Sequence, residues 1–260
     1  MPRGPAGVPA GAGTVAGVGG VRDTVAGDLV PGGVLRAAIN LGNPVLAQGP
    51  AAAPSGVTVD IARQLGARLG VAVDLACFAA ARESLAAIAR GDADICFLAI
   101  EPARAAEVAF TTPYVVIEAV FVVPGNSAIT TLADADRAGV RIGVNEGSAY
   151  DLFLSRTLRQ AGVVRGPDGI RLFREQGLDA GAGIRQVVSG FVAGNPRFRM
   201  ISEPFMQIRQ ALGISRARAP GTIQFLTAFI EDLKASGFIP DALRRSGQDS
   251  ALAAPPEPPA

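Results

Sequence analysis

The segment Val108-Ala-Phe-Thr-Thr-Pro-Tyr-Val-Val-Ile-Glu-Ala-Val-Phe-Val-Val-Pro124 constrains the fold of this chain more than any other. A turn signal, Thr112-Pro113, precedes a nearly unbroken β-branched and aromatic run from Tyr114 to Val123. A run that apolar, with proline at each end, predicts a strand covered on both faces. On either side of it the chain repeats a strand–helix alternation, so the strand is expected to leave one α/β unit and enter a second. It is therefore predicted to form half of a hinge beside a ligand cleft.

Before that strand, Val34–Ile39 predicts a short strand and Asn40–Pro44 a turn-rich loop. Val57, Ile61, Leu65 and Leu69 recur every fourth residue and predict a helix stopping at Gly70. Strand Val73–Phe78, a helix over Arg82–Arg90 and strand Asp94–Ile100 follow, a series that implies a parallel sheet with right-handed crossovers. After the hinge strand the pattern restarts with a short helix at Leu132–Asp136, strand Val140–Val144 and a helix opened by Ser148, with Asp151 three residues on. Ile170–Phe173, Leu178–Ile184 and Phe198–Ile201 read as strands and Gln186–Ala193 as a helix. Phe205–Ile214 is the expected return crossing, followed by helices over Thr222–Ala235 and Phe238–Ser246. Residues 1–33, rich in Gly, Ala, Pro and Val, and the Pro-rich residues 249–260 are expected to be disordered tails.

Composition excludes several functions. The chain has no His, which removes Ser-His-Asp and Cys-His catalysis and every His-ligated metal site. Its 24 basic and 23 acidic residues leave a formal net charge of +1, with no electrostatic footprint for nucleic acid or an anionic membrane. Asp74, Asp92 and Asp94 do not have a metal-ligand spacing, and no metal or other cofactor is expected. Cys77 and Cys96 lie in apolar strands and read as small buried hydrophobes. No segment has the continuous apolar core of a secretory signal or of a bilayer span. Gly181-Ala-Gly183 lacks the third glycine of a dinucleotide fingerprint and reads as close packing at a strand end.

An ordered set of segments resembles one family. Gly56-Val-Thr-Val-Asp-Ile-Ala62, Leu69-Gly-Val71, Leu85 through Gly91-Asp-Ala-Asp94, Arg104 and Val108–Tyr114 occur in its order. Val140-Arg-Ile-Gly-Val144, Gly147-Ser148, Gly177-Leu-Asp-Ala180 and Leu233-Lys-Ala-Ser-Gly-Phe238 continue it. Together they resemble the polar-amino-acid-type solute-binding proteins of ABC importers, family 3, with the type II periplasmic binding fold. The resemblance implies two α/β lobes, each a mostly parallel sheet flanked by helices, joined by two hinge strands and closing on a small solute. The first lobe would comprise residues 34–121 and 209–248, the second 122–208. It also implies that the Val34 strand lies between the other two of its sheet, separating Cys77 from Cys96. A monomer that works with a membrane permease in a periplasmic or extracytoplasmic space is expected.

Ligands of open α/β sheets bind beyond the carboxyl ends of the strands. Those ends carry Asn43, Phe78, Ala99, Glu101 and Arg104 in the first lobe, and Glu146, Gly147, Ser148 and Arg185 in the second. The resemblance assigns Arg104 to the solute's carboxylate, a geometry that suits a guanidinium fork. Gly147 and Ser148 open a helix whose amides favour an anion, while the Ser148 hydroxyl can cap the same helix. Phe78 is expected as an aromatic platform. Relatives that bind amino acids carry two more residues before the arginine, and an acid for the solute ammonium near Ile184. Here no carboxylate stands at Ile184, and Arg185 follows. A second cation would disfavour an ammonium, so the expected solute is an organic anion, or an amino acid whose ammonium meets Glu101 or Glu146. The rival reading is an enzyme of the same fold, cyclohexadienyl-dehydratase-like, with Glu101 or Glu146 as general acid.

Overall fold

The structure is a computed structural model that describes residues 16–257. In chain order, α1 (Ala16–Leu29) precedes β1 (Val34–Asn40), α2 (Val57–Leu69), β2 (Ala72–Phe78), α3 (Ala81–Arg90), β3 (Ile95–Ala99), the short α4 (Pro102–Ala105) and the long β4 (Val108–Pro124). The second set is α5 (Leu132–Ala135), β5 (Arg141–Asn145), α6 (Ala149–Thr157), β6 (Gly162–Gly166), α7 (Gly169–Gln176), β7 (Ala180–Ile184), α8 (Arg185–Ala193) and β8 (Phe198–Met200). Then β9 (Met206–Ser215) returns to the first set, and α9 (Pro220–Ala235) and α10 (Phe238–Arg245) cover it.

The strands run in the order β2-β1-β3-β9-β4-β7-β5-β6, with β8 on β4. β1 is parallel to both β2 and β3, and β5 is parallel to both β6 and β7. Two α/β lobes thus lie side by side, joined where antiparallel β4 and β9 cross between them. β4 pairs with β9 from Val108 to Ala119 and with β7 from Ala119 to Val122. Thr112-Pro113 is not a turn before the strand: β4 starts at Val108 and passes through a register irregularity at Pro113. A proline has no amide to give to a ladder, and such an irregularity accommodates it.

The core follows the apolar periodicity. Val57, Ile61, Leu65 and Leu69 on α2 are all buried, and each stabilises the fold by about 1.5–3 kcal/mol relative to exposure. Gly181 packs closely, because a Cβ there would stand 2.9 Å from the Phe173 side chain. β1 lies between β2 and β3, and both cysteines are free. Burial pushes the Cys96 thiol up to about 12, so it stays protonated in the core.

Several expectations need correction. Within the stretch expected to be a disordered tail, α1 packs Val25 and Leu29 into the core of the first lobe. Asp28 ties it down further by accepting from the Ala219 amide at 3.1 Å. The poor helix propensity of its glycines is overridden here by tertiary burial. The C-terminal stretch also docks: Ala254 donates to the Tyr114 carbonyl at 3.0 Å, and Lys234 Nζ donates to the Pro255 carbonyl at 3.1 Å. Proline-rich chain has carbonyls to offer, and these are engaged. Residues 1–15 and 258–260 of the two expected tails lie outside the described residues. Ile170–Phe173 is not a strand but lies in α7, which Asp168 caps through the Ile170 and Arg171 amides. A four-residue apolar run does not distinguish strand from helix.

Candidate functional site

A cleft of about 310 Å³ opens between the lobes, lined by the loops that leave β1, β2, β3, β5, β6 and β7. At its first-lobe wall, β3 ends at Ala99 and the chain turns into α4, with Pro102 in the first helical position. This short turn brings Arg104 to the cleft with the side chain buried, despite the shortened connection. Arg104 Nη1 donates to the Ala99 carbonyl at 3.2 Å, and Nη2 donates to the Gly147 carbonyl of the second lobe at 2.9 Å. Among the described residues no carboxylate forms an ion pair with it. Burial pulls the guanidinium below its ordinary value, partly offset by Glu101, and a guanidinium so placed remains a cation at neutral pH.

The second-lobe wall is the start of α6. Gly147 has φ +71, the left-handed region, and a Cβ there would stand 3.1 Å from the Arg82 side chain. Its amide is not open to a solute, because it donates to Asp151 Oδ2 at 2.9 Å. The Ser148 hydroxyl caps the helix by accepting from the Asp151 amide at 3.1 Å, and its own amide donates to Asn145. The open donors are the amides of Ala149 and Tyr150, whose partners in a continued helix would lie before it starts. Positive helix end and guanidinium thus face one cleft from two lobes.

Arg104, Ser148, Asn43, Ala99 and Glu146 line the cleft, and Gly147 adjoins it through its carbonyl. Three expected site residues do not line it. Phe78 packs beside the core cluster of Ala87, Ile88 and Leu98 instead of forming a platform. Glu101 is buried, and its carboxylate accepts from both terminal nitrogens of Arg156 on α6, at 2.5 and 3.2 Å. Arg185 pairs with Glu118 and donates to the Ser202 carbonyl at 2.6 Å. The second cation on the lining is Arg82, which donates to the Glu146 carbonyl at 3.3 Å.

Sequence reasoning also passed over Gln210, Tyr150 and Asp168, which line the cleft. Tyr150 follows Ser148 on the helix start, and burial pushes its phenol up. Asp168 lies two residues beyond the unrecognised strand β6 and caps α7; its position before Gly169 and an apolar pair three apart is a helix-start signal. Gln210 carries no local signal, because it is placed by the pairing of β9 with both β3 and β4. Among the described residues no group of three acids and cysteines could hold a metal ion, and no helix is long and apolar enough to cross a membrane.

Two lobes joined by a pair of crossing strands, with a cleft at the carboxyl ends of both sheets, define the type II periplasmic binding fold. Residues 35–245 match the family model of bacterial extracellular solute-binding proteins, family 3, and the chain belongs to that family. Among solved structures it is similar to the P235GK mutant of ArgBP from T. maritima, with TM-score 0.71, 20% identity, and coverage of 86% of this chain and 99% of that one. An amino acid ABC transporter substrate-binding protein, AbpA from Streptococcus pneumoniae bound to L-arginine, matches with TM-score 0.69 and 19% identity over 84% of this chain and 96% of that one. AncCDT-1, an ancestral amino acid-binding protein and precursor of cyclohexadienyl dehydratase, matches with TM-score 0.70 and 17% identity over 86% and 98%. At these identities the likeness is one of fold. A comparison with curated proteins finds no match.

Proposed function

We propose that this chain is the substrate-binding component of an ABC importer, closing on a small carboxylate-bearing solute and delivering it to a membrane permease outside the cytoplasm. The observation that carries this reading is Arg104, a buried cation on the cleft wall whose hydrogen bonds go to two carbonyls and to no carboxylate. A solute carboxylate would complete its fork and also face the amides of Ala149 and Tyr150. Relatives that bind arginine, and the family as a whole, support a solute of amino-acid or organic-acid size. The hinge would lie in β4 and β9, with residues 34–121 and 209–248 moving against 122–208; the change of β4 partner at Ala119 supports a boundary in that region. The enzymatic reading gains little support, since Glu101 is held by Arg156 and Glu146 stands exposed beside Arg82.

The test is to denature freshly purified protein and identify the released small molecules by mass spectrometry. A carboxylic acid released by the wild type and absent from Arg104→Met supports the reading. Release of the same compound, in the same amount, from both proteins contradicts it.

A further inference from the structure

We propose that the solute is a 2-oxo or 2-hydroxy monocarboxylate with a short apolar body, and that Gln210 recognises its second polar group. This rests on the reading of Arg104 as the carboxylate anchor. Gln210 pairs directly across from Ala99, whose carbonyl is the one that Arg104 Nη1 holds. Its side chain lines the cleft at 6% exposure and makes no side-chain hydrogen bond to any other described residue. An amide that buried ordinarily has a partner, and the cleft is where a partner can be supplied.

The charges on the lining decide what that partner is. The lining carboxylates, Glu146 and Asp168, both stand at exposed positions. Glu146 lies 4.0 Å from Arg82, and Asp168 Oδ1 is committed to the amides of Ile170 and Arg171. The buried part of the lining has Arg104 as its charged group, and beside it neutral amides and the aliphatic side chains of Leu98, Ile170, Ile184 and Ile208. An ammonium next to the solute carboxylate would be desolvated there without an acid and near a guanidinium, both unfavourable. A carbonyl or hydroxyl oxygen at the same carbon needs one neutral hydrogen bond, and a carboxamide both donates and accepts. The aliphatic wall and the volume of about 310 Å³ suit a short apolar body.

Calorimetric titration with compounds sharing one carbon skeleton tests this: 4-methyl-2-oxopentanoate, 2-hydroxy-4-methylpentanoate, leucine and unsubstituted 4-methylpentanoate, with shorter-chain sets in parallel. The oxo or hydroxy acid is expected to bind at least about tenfold more tightly than the amino acid of the same skeleton. Gln210→Leu is expected to weaken the oxo and hydroxy acids about tenfold and leave 4-methylpentanoate unchanged, which also shows that the variant is folded. Tighter binding of the amino acid, no binding of any oxo or hydroxy acid, or an unchanged affinity in Gln210→Leu overturns the inference. Amino-acid binding tighter than that of the oxo and hydroxy acids, and abolished in Arg104→Met, sinks this inference alone. Oxo-acid binding that survives Arg104→Met sinks the carboxylate-anchor reading beneath it.

Discussion

Arg104 in the first lobe donates through Nη2 to the Gly147 carbonyl in the second lobe at 2.9 Å, across the cleft. One side chain therefore belongs both to lobe contact and to the wall a solute would touch. Closure and solute capture share a group, which is what a clamshell requires if the guest is to favour the shut form.

Replacing Arg104 separates these two roles from folding. Arg104→Met is expected to weaken binding of a carboxylate solute by about a hundredfold or more, because a charge-assisted fork is lost. Its melting temperature is expected to stay level or rise, since a desolvated cation leaves the interior. Calorimetry and thermal unfolding of the same sample check both halves.

The Glu101–Arg156 pair joins the end of the β3 loop to α6, hence one lobe to the other. Arg156→Met is expected to populate a more open form in the absence of solute and to weaken solute binding about three- to tenfold, by lowering the share of the closed state. Small-angle scattering should then report a larger radius of gyration than the wild type. An unchanged scattering curve and affinity would show that the pair does not hold the lobes together.

Ile184 closes the cleft at the end of β7, where no carboxylate meets an ammonium. Ile184→Asp is expected to raise affinity for small amino acids at least about tenfold, since a buried ammonium gains an opposite charge. Affinity for acids without an ammonium is expected to fall, through repulsion between carboxylates. Paired titrations of wild type and variant check the crossing of preferences.

The docked C-terminal stretch is expected to depend on pH through Glu231. Burial alone would raise the Glu231 carboxyl, but hydrogen bonds from Lys234, Thr112 and the Glu257 amide outweigh it and hold the group below its ordinary 4.5. A depressed carboxyl contributes stability that is present above the unfolded value and lost as pH falls through the folded one. Residues 250–257 are therefore expected to stay docked at neutral pH and to loosen in acid as the Glu231 carboxyl takes up its proton, and Glu231→Gln to remove that dependence. Hydrogen exchange of the Ala254 and Glu257 amides measures it; loosening on raising the pH instead would contradict the assignment.

Much of the fold was legible because burial leaves period and punctuation behind. The four-residue spacing of Val57 to Leu69 and the stop at Gly70 located α2, and the unbroken apolar run of β4 located the crossing strand. α1 escaped because its glycines argue against a helix, and only packing of Val25 and Leu29 against distant elements reverses that. The cleft lining was readable where it follows strand ends, as at Arg104 and Ser148. It was misread where the partner of a charge is far away in sequence: Glu101 is claimed by Arg156, and Arg185 by Glu118. Gln210 could not be found at all without the β3–β9–β4 pairing that sets it beside Ala99.

A crystal structure of the protein with its solute would show directly whether Arg104 holds the solute carboxylate. The solute carboxylate is expected between the lobes, both oxygens within about 3 Å of the Arg104 guanidinium or the first amides of α6. A solute seated in the cleft with its carboxylate turned away from Arg104, or bound outside the cleft, would contradict it.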